Sequence, residues 1–187
     1  MDRFQQPPYQ VPVSTFKKNT MERNIYSVSF LRNFVFGVED SLVSTVGLLS
    51  GIALATVPAK TIFLTGVVLI FVEAFSMAAG TYLSESSAEV YANGTDTPTK
   101  TNVLAAVIMF FSYFVSGFIP LFPYVLWPVD MALKISIAAS IAALFGLGLL
   151  SAVLSKTNLT KSALRMTVIG GLAIAVGAMA GIVISWF

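Results

Sequence analysis

Five stretches of this chain are too long and too apolar to fold as anything but membrane-crossing helices. Between Arg32 and Lys60 the only charges are the adjacent Glu39 and Asp40, and between Lys60 and Glu85 the only one is Glu73. The intervals from Lys100 to Asp130, from Lys134 to Lys156, and beyond Arg165 carry none. Each stretch exceeds the roughly 20 residues needed to cross about 30 Å of hydrocarbon as a helix. In lipid every backbone amide and carbonyl must be satisfied within the protein, so helices or a closed barrel are the only choices. A barrel would show alternating segments of about ten residues, and the apolar runs here are continuous. Composition agrees: 56% of residues are hydrophobic and 11% charged, against roughly 25% charged in soluble domains.

The spans fall at about 29–57, 59–91, 101–119, 129–155 and 162–187, giving an all-α membrane domain over 29–187 behind an N-terminal arm, 1–28. The arm contains Pro7, Pro8 and Pro12 and no apolar run that would serve as a signal peptide core. It reads as cytosolic, irregular around the prolines and then a surface helix. Pro58 opens the second span, Asn93 to Pro98 form a polar break, and Pro120, Pro123 and Pro128 end the third. Tyr124 and Trp127 read as interfacial anchors. With the N-terminus inside, cytosolic segments hold nine Lys and Arg residues, and the other side holds only Lys60 and Lys134. That asymmetry predicts a cytosolic N-terminus and a non-cytosolic C-terminus.

Glu39, Asp40 and Glu73 are the informative exceptions. A carboxylate in the bilayer core is costly and marks an ion pathway or a partner. Three of them without a basic residue in the same spans predict a cation site. Asp40 lies eight residues past Arg32, about 12 Å along a helix. Glu73 lies twelve before Glu85, about 18 Å along the next helix, so the two share a level. Glu73, Met77, Thr81, Glu85 and Glu89 recur every four residues, forming one slowly winding polar stripe on a second span long enough to project into the cytosol. Carboxylates with a thioether suit a borderline ion such as Fe²⁺ or Mn²⁺. The candidate ligands are Asp40, Glu73 and Met77, with Glu39 on an adjoining face and Glu85 and Glu89 drawing cations to the inner mouth.

The competing readings are structural: Glu39 and Asp40 bonded to Ser41, Ser44 or a carbonyl, Glu73 bonded between helices, and Met77 as core filler. The chain has no cysteine or histidine, and it lacks a nucleophile elbow, a phosphate-cradling glycine loop and a basic patch for nucleic acid. An enzyme is therefore not expected, nor a resident cofactor; the metal is cargo. Three function classes remain: a coupled metal transporter, a passive cation channel, and a non-transporting scaffold or regulator. Small residues mark close helix packing. Ser44, Gly47 and Gly51 line part of the first span, Ala138, Ala142 and Gly146 the fourth, and Gly177 and Gly181 the fifth. For the last two, packing within the chain is the expectation.

The runs FVFGVEDSLVSTVGLLSGIA and EAFSMAAGTYLSESSAEVY resemble the two signature segments of the vacuolar iron transporter family of divalent metal/proton antiporters. The resemblance covers roughly the first half of the chain. It implies five membrane helices, a homodimer, and a path at the subunit interface lined by the first helix, Asp40, Glu73 and Met77. Through it Fe²⁺, often Mn²⁺, would leave the cytosol in exchange for protons across a plasma or vacuole-like membrane. Two departures stand out. Thr81 occupies a position where many members carry Glu, and only Asn93 to Lys100 connects the second and third helices, where many members insert a Glu- and Met-rich metal-binding domain.

Overall fold

The computed structural model describes the backbone of residues 15–93, 100–184 and 186, and the side chains of 28–91, 100–183 and 186. The prolines of the arm and the polar break at 94–99 lie outside the described residues. Six helices follow in order: α1 (Thr15–Leu54), α2 (Ala59–Asn93), α3 (Lys100–Leu121), α4 (Pro123–Leu126), α5 (Val129–Ser155) and α6 (Leu159–Ile184). Five candidate membrane spans lie on them: Val28–Leu54, Ala59–Tyr91, Lys100–Leu126, Val129–Ser155 and Leu159–Val183. The chain is a multi-pass, all-α membrane protein. One end of the bundle carries Arg32, Lys100, Lys156, Lys161 and Arg165 and is called the basic end below.

The ends of these helices have local causes. α1 begins at Thr15, well inside the expected arm, because 15–28 contains neither Pro nor Gly to break a helix. It stops at Leu54, three residues before the expected end. Thr56 is left-handed (φ 59°), and Val57 precedes Pro58, which disfavours helical geometry. Pro58 sits just before α2, where its carbonyl accepts the amides of Thr61 and Ile62 at 2.9 and 3.1 Å. Pro120 is inside the last turn of α3, and Phe122 still bonds back to Phe118 at 2.8 Å. The freed carbonyl of Pro120 accepts the Ser136 hydroxyl of α5 at 2.7 Å. Tyr124 is buried in an apolar cluster with Leu49, Ile62, Ile70 and Leu121 rather than anchoring a surface; Trp127 is exposed.

α1 is the hub, packed against α3 and α6 along much of its length and also against α5 and α2. Its approach to α6 is backbone to backbone. A Cβ at Gly177 would sit 2.2 Å from the Gly47 carbonyl oxygen, and one at Gly181 2.0 Å from that of Gly51. This small-residue pair therefore packs within the chain, as expected. The stripe on α5 does the reverse. Ala138, Ala142 and Gly146 are exposed, while Ser136, Ser140, Leu144, Leu147 and Gly148 face the bundle. Spacing alone could not choose between the two faces; the Ser136 bond to Pro120 and the fit of Gly148 against Ala163, 2.5 Å from an added Cβ, do.

Candidate metal centre

Three helices bring four side chains together midway along the bundle. Asp40 of α1 and Glu73 of α2 are both half-buried and lie within electrostatic range of each other. Tyr113 of α3 is fully buried and feels both carboxylates. Its hydroxyl is 2.7 Å from Ser44 Oγ, one turn along α1 from Asp40. The backbone of the same residue is tied to α1 as well, since Ser41 donates to the Tyr113 carbonyl at 2.7 Å. Among the described residues neither carboxylate meets a basic side chain, the one ion pair being Arg32–Glu85. The arrangement is a pair of carboxyl groups in a low-dielectric setting with hydroxyls beside them. Such a setting disfavours two negative charges together and favours a cation or a proton.

Glu39 is half-buried too, but among the described residues it takes no part in the contacts that join Asp40, Glu73, Tyr113 and Ser44. Adjacent helical residues point about 100° apart, and that is the difference here.

A cavity of about 710 Å³ opens beside the pair, toward the basic end, lined among others by Met77, Thr81 and Glu85 of the polar stripe, by Arg32 and Asn33 of α1, and by Met109 of α3. Glu85 is not a free charge at its mouth. It is ion-paired with Arg32, and Ser29 donates to it at 3.4 Å. Glu89 accepts the amide of the buried Asn102 at 2.9 Å, tying α2 to α3. Both of the acids expected to draw cations to the inner mouth are thus engaged within the chain, because α1 and α3 flank the stripe on either side.

Ser44, Tyr113, Arg32 and Met109 were missed by reading the sequence. Tyr113 offered one signal, a phenol in mid-span whose hydroxyl needs a partner. No group of three or more Asp, Glu, His or Cys ligands is present among the described residues, so one chain supplies two carboxylates at this level.

The fold and the site define a five-span membrane protein with an unpaired acidic couple at its centre. A profile of the VIT family matches residues 31–100 and 89–182, nearly the whole membrane domain, and the chain belongs to that family. It is 29% identical over 162 residues to vacuolar iron transporter homolog 4 of Arabidopsis thaliana, covering 79% of this chain and 80% of that protein. It is 30% identical over 163 residues to vacuolar iron transporter homolog 3 of the same plant, covering 79% of each.

Proposed function

We propose that the protein exports a divalent metal ion, Fe²⁺ or Mn²⁺, from the cytosol by exchange for protons. The names of its relatives supply the substrate class; the observation that carries the mechanism is the Asp40–Glu73 pair. Two adjacent carboxylates lacking a basic partner are a poor device for holding helices together and a good one for binding a divalent cation. Metal and protons compete for the same oxygens, so release of one accompanies capture of the other. Met77, one turn along α2 from Glu73, adds a soft ligand.

The rest of the coordination comes from a second copy of the chain. Phe36, Asp40, Ser44 and Leu48 lie on successive turns of α1, and all are exposed or half-buried. Between Asn33 and Leu54 the exposed residues of α1 are Phe36 and Leu48, both on this face. A homodimer meeting there would bring two acidic pairs to one path and close the lipid off from it. The basic end faces the cytosol, a reading the Lys and Arg asymmetry supports, and α2, about 52 Å long over its 35 residues, extends beyond the bilayer on that side. The membrane is vacuole-like or the plasma membrane.

Metal and proton fluxes in proteoliposomes test the reading. An exchanger moves protons only when Fe²⁺ or Mn²⁺ moves the other way. Metal flux without proton movement would make the protein a channel, and no flux of either would leave it a scaffold.

A further inference from the structure

We propose that the turn between α5 and α6 binds the phosphate headgroup of an anionic phospholipid, with Lys161 and Arg165 as its charged ligands and the outer face of α6 as the seat of an acyl chain. The site is independent of which ion the protein carries and of which side of the membrane its basic end faces.

Lys156, Lys161 and Arg165 fall within ten residues, and the chain has no Asp or Glu after Asp130. Among the described residues the one ion pair is Arg32–Glu85, so this cluster has no anion of its own. Lys161 and Arg165 sit one turn apart at the start of α6 and line a cavity of about 200 Å³ with Thr157, Asn158 and Ser162. The neutral members supply further donors. Asn158 already accepts at both oxygens, from the Ser162 amide at 3.1 Å and from the Thr160 hydroxyl at 2.9 Å, which leaves its side-chain NH₂ to donate. Two hydroxyls, an amide, an ammonium and a guanidinium around one small cavity are a donor set for phosphate oxygens. Basic residues at a membrane surface also fix topology, but that role does not need them to converge on one cavity.

What distinguishes a lipid from a free phosphate lies further along the helix. Lys161, Arg165, Val168 and Leu172 follow at steps of three and four residues, so they share one face of α6. All four are exposed, Val168 at 50% and Leu172 at 64%. The face therefore passes from cationic at the end of the bundle to apolar along its length, the order of headgroup and chain in a lipid lying against it. Basic pockets between membrane helices are where anionic headgroups are held. The walls of this one are fixed, because Gly148 of α5 lies so near α6 that an added Cβ would stand 2.5 Å from Ala163 Cα.

Dioctanoyl phosphatidic acid is the probe, titrated into the full chain purified in neutral detergent, with binding read from the rise in melting temperature. Lys161→Gln combined with Arg165→Gln should weaken binding about thirtyfold. Lys60→Gln combined with Lys134→Gln removes the same charge from the other end of the bundle and should change it little. Val168→Ser should weaken the lipid without altering any charge, and dioctanoyl phosphatidylcholine, whose choline offsets its phosphate, should bind far less tightly. All five substituted positions are exposed, where a change rarely costs stability, and the melting temperature without lipid checks that each variant folds. Equal weakening by the two double variants would reduce the effect to overall charge and overturn the site. Glycerol 3-phosphate or inorganic phosphate binding as tightly as phosphatidic acid, with Val168→Ser without effect, would make it a site for soluble phosphate and overturn the lipid assignment. A wild type that phosphatidic acid does not stabilise overturns the proposal outright.

Discussion

A charge is conspicuous in an apolar run, and that is why Asp40 and Glu73 could be found from sequence while their neighbours could not. Tyr113 and Ser44 are ordinary membrane-helix residues until the register of α1 against α3 sets them beside the acids. Asp40→Asn keeps size and polarity but removes the charge. Metal uptake should fall by more than about a hundredfold, the upper end of losses seen when a mere supporting residue is removed, while folding survives because an amide is cheaper to bury than a carboxylate. Glu73→Gln should match it, and Glu39→Gln should lose little, since that side chain stands apart from the cluster. Initial-rate uptake across the three variants checks this ranking, and near-normal uptake by Asp40→Asn would remove the central residue. At the cavity mouth the ion pair with Arg32 sets what Glu85→Gln is expected to do. The substitution frees the Arg32 guanidinium, which then opposes an incoming cation. The apparent KM should rise, more so at low salt, and a second change, Arg32→Gln, should restore most of it. A double mutant no better than Glu85→Gln alone would mean that Glu85 acts through something other than its pairing.

At the level of helices, the existence and number of spans were plain from uncharged length, but their faces were not. GxxxG-type spacing identified Gly177 and Gly181 as a packing surface, yet the same spacing at Ala138, Ala142 and Gly146 points outward. Spacing reports what is sterically permitted; which permitted face is used depends on what the neighbouring helix presents, here the open carbonyl of Pro120. The C-terminal end of α1 was misplaced for a similar reason, because apolar composition marks the bilayer and not where the helix stops. The two stripes make opposite predictions. Gly181→Val puts side-chain atoms where the Gly51 carbonyl now lies, and backbone cannot swing aside as a side chain does. Thermal stability in detergent should drop, by about 1–3 kcal/mol or more as for other overpacked cores. Gly146→Val has open space around its added Cβ and should leave the melting curve of the isolated chain nearly unchanged. Equal effects at the two positions would show that the α1–α6 contact is not the tight one.

For the whole molecule, the open question is what covers α1 on the side that bears Asp40. Ser44 and Gly51 were natural places to look for a subunit contact from sequence alone, since small residues permit close approach. Both are engaged inside the chain: Ser44 with the Tyr113 hydroxyl, and Gly51 so close to α6 that a Cβ would stand 2.7 Å from the Gly177 carbonyl oxygen. Cysteine at either would report on intrachain packing or disrupt it. Phe36 and Leu48 are 50% and 36% exposed and flank Asp40 one turn and two turns away along the same open face, making them the informative probes. The chain has no native cysteine, so single substitutions report cleanly. If two copies share one metal path, Leu48→Cys should form a disulfide-linked dimer in native membranes under mild oxidation, and Phe36→Cys should do so more weakly because it lies nearer the cavity mouth. Cysteine at Leu172, 64% exposed on α6 and away from this face, is the control and should stay monomeric on a non-reducing gel. Cross-linking at Leu172 but not at Leu48 would place the subunit contact elsewhere. Each chain would then have to complete its metal site from the two carboxylates, hydroxyls and thioethers it already owns.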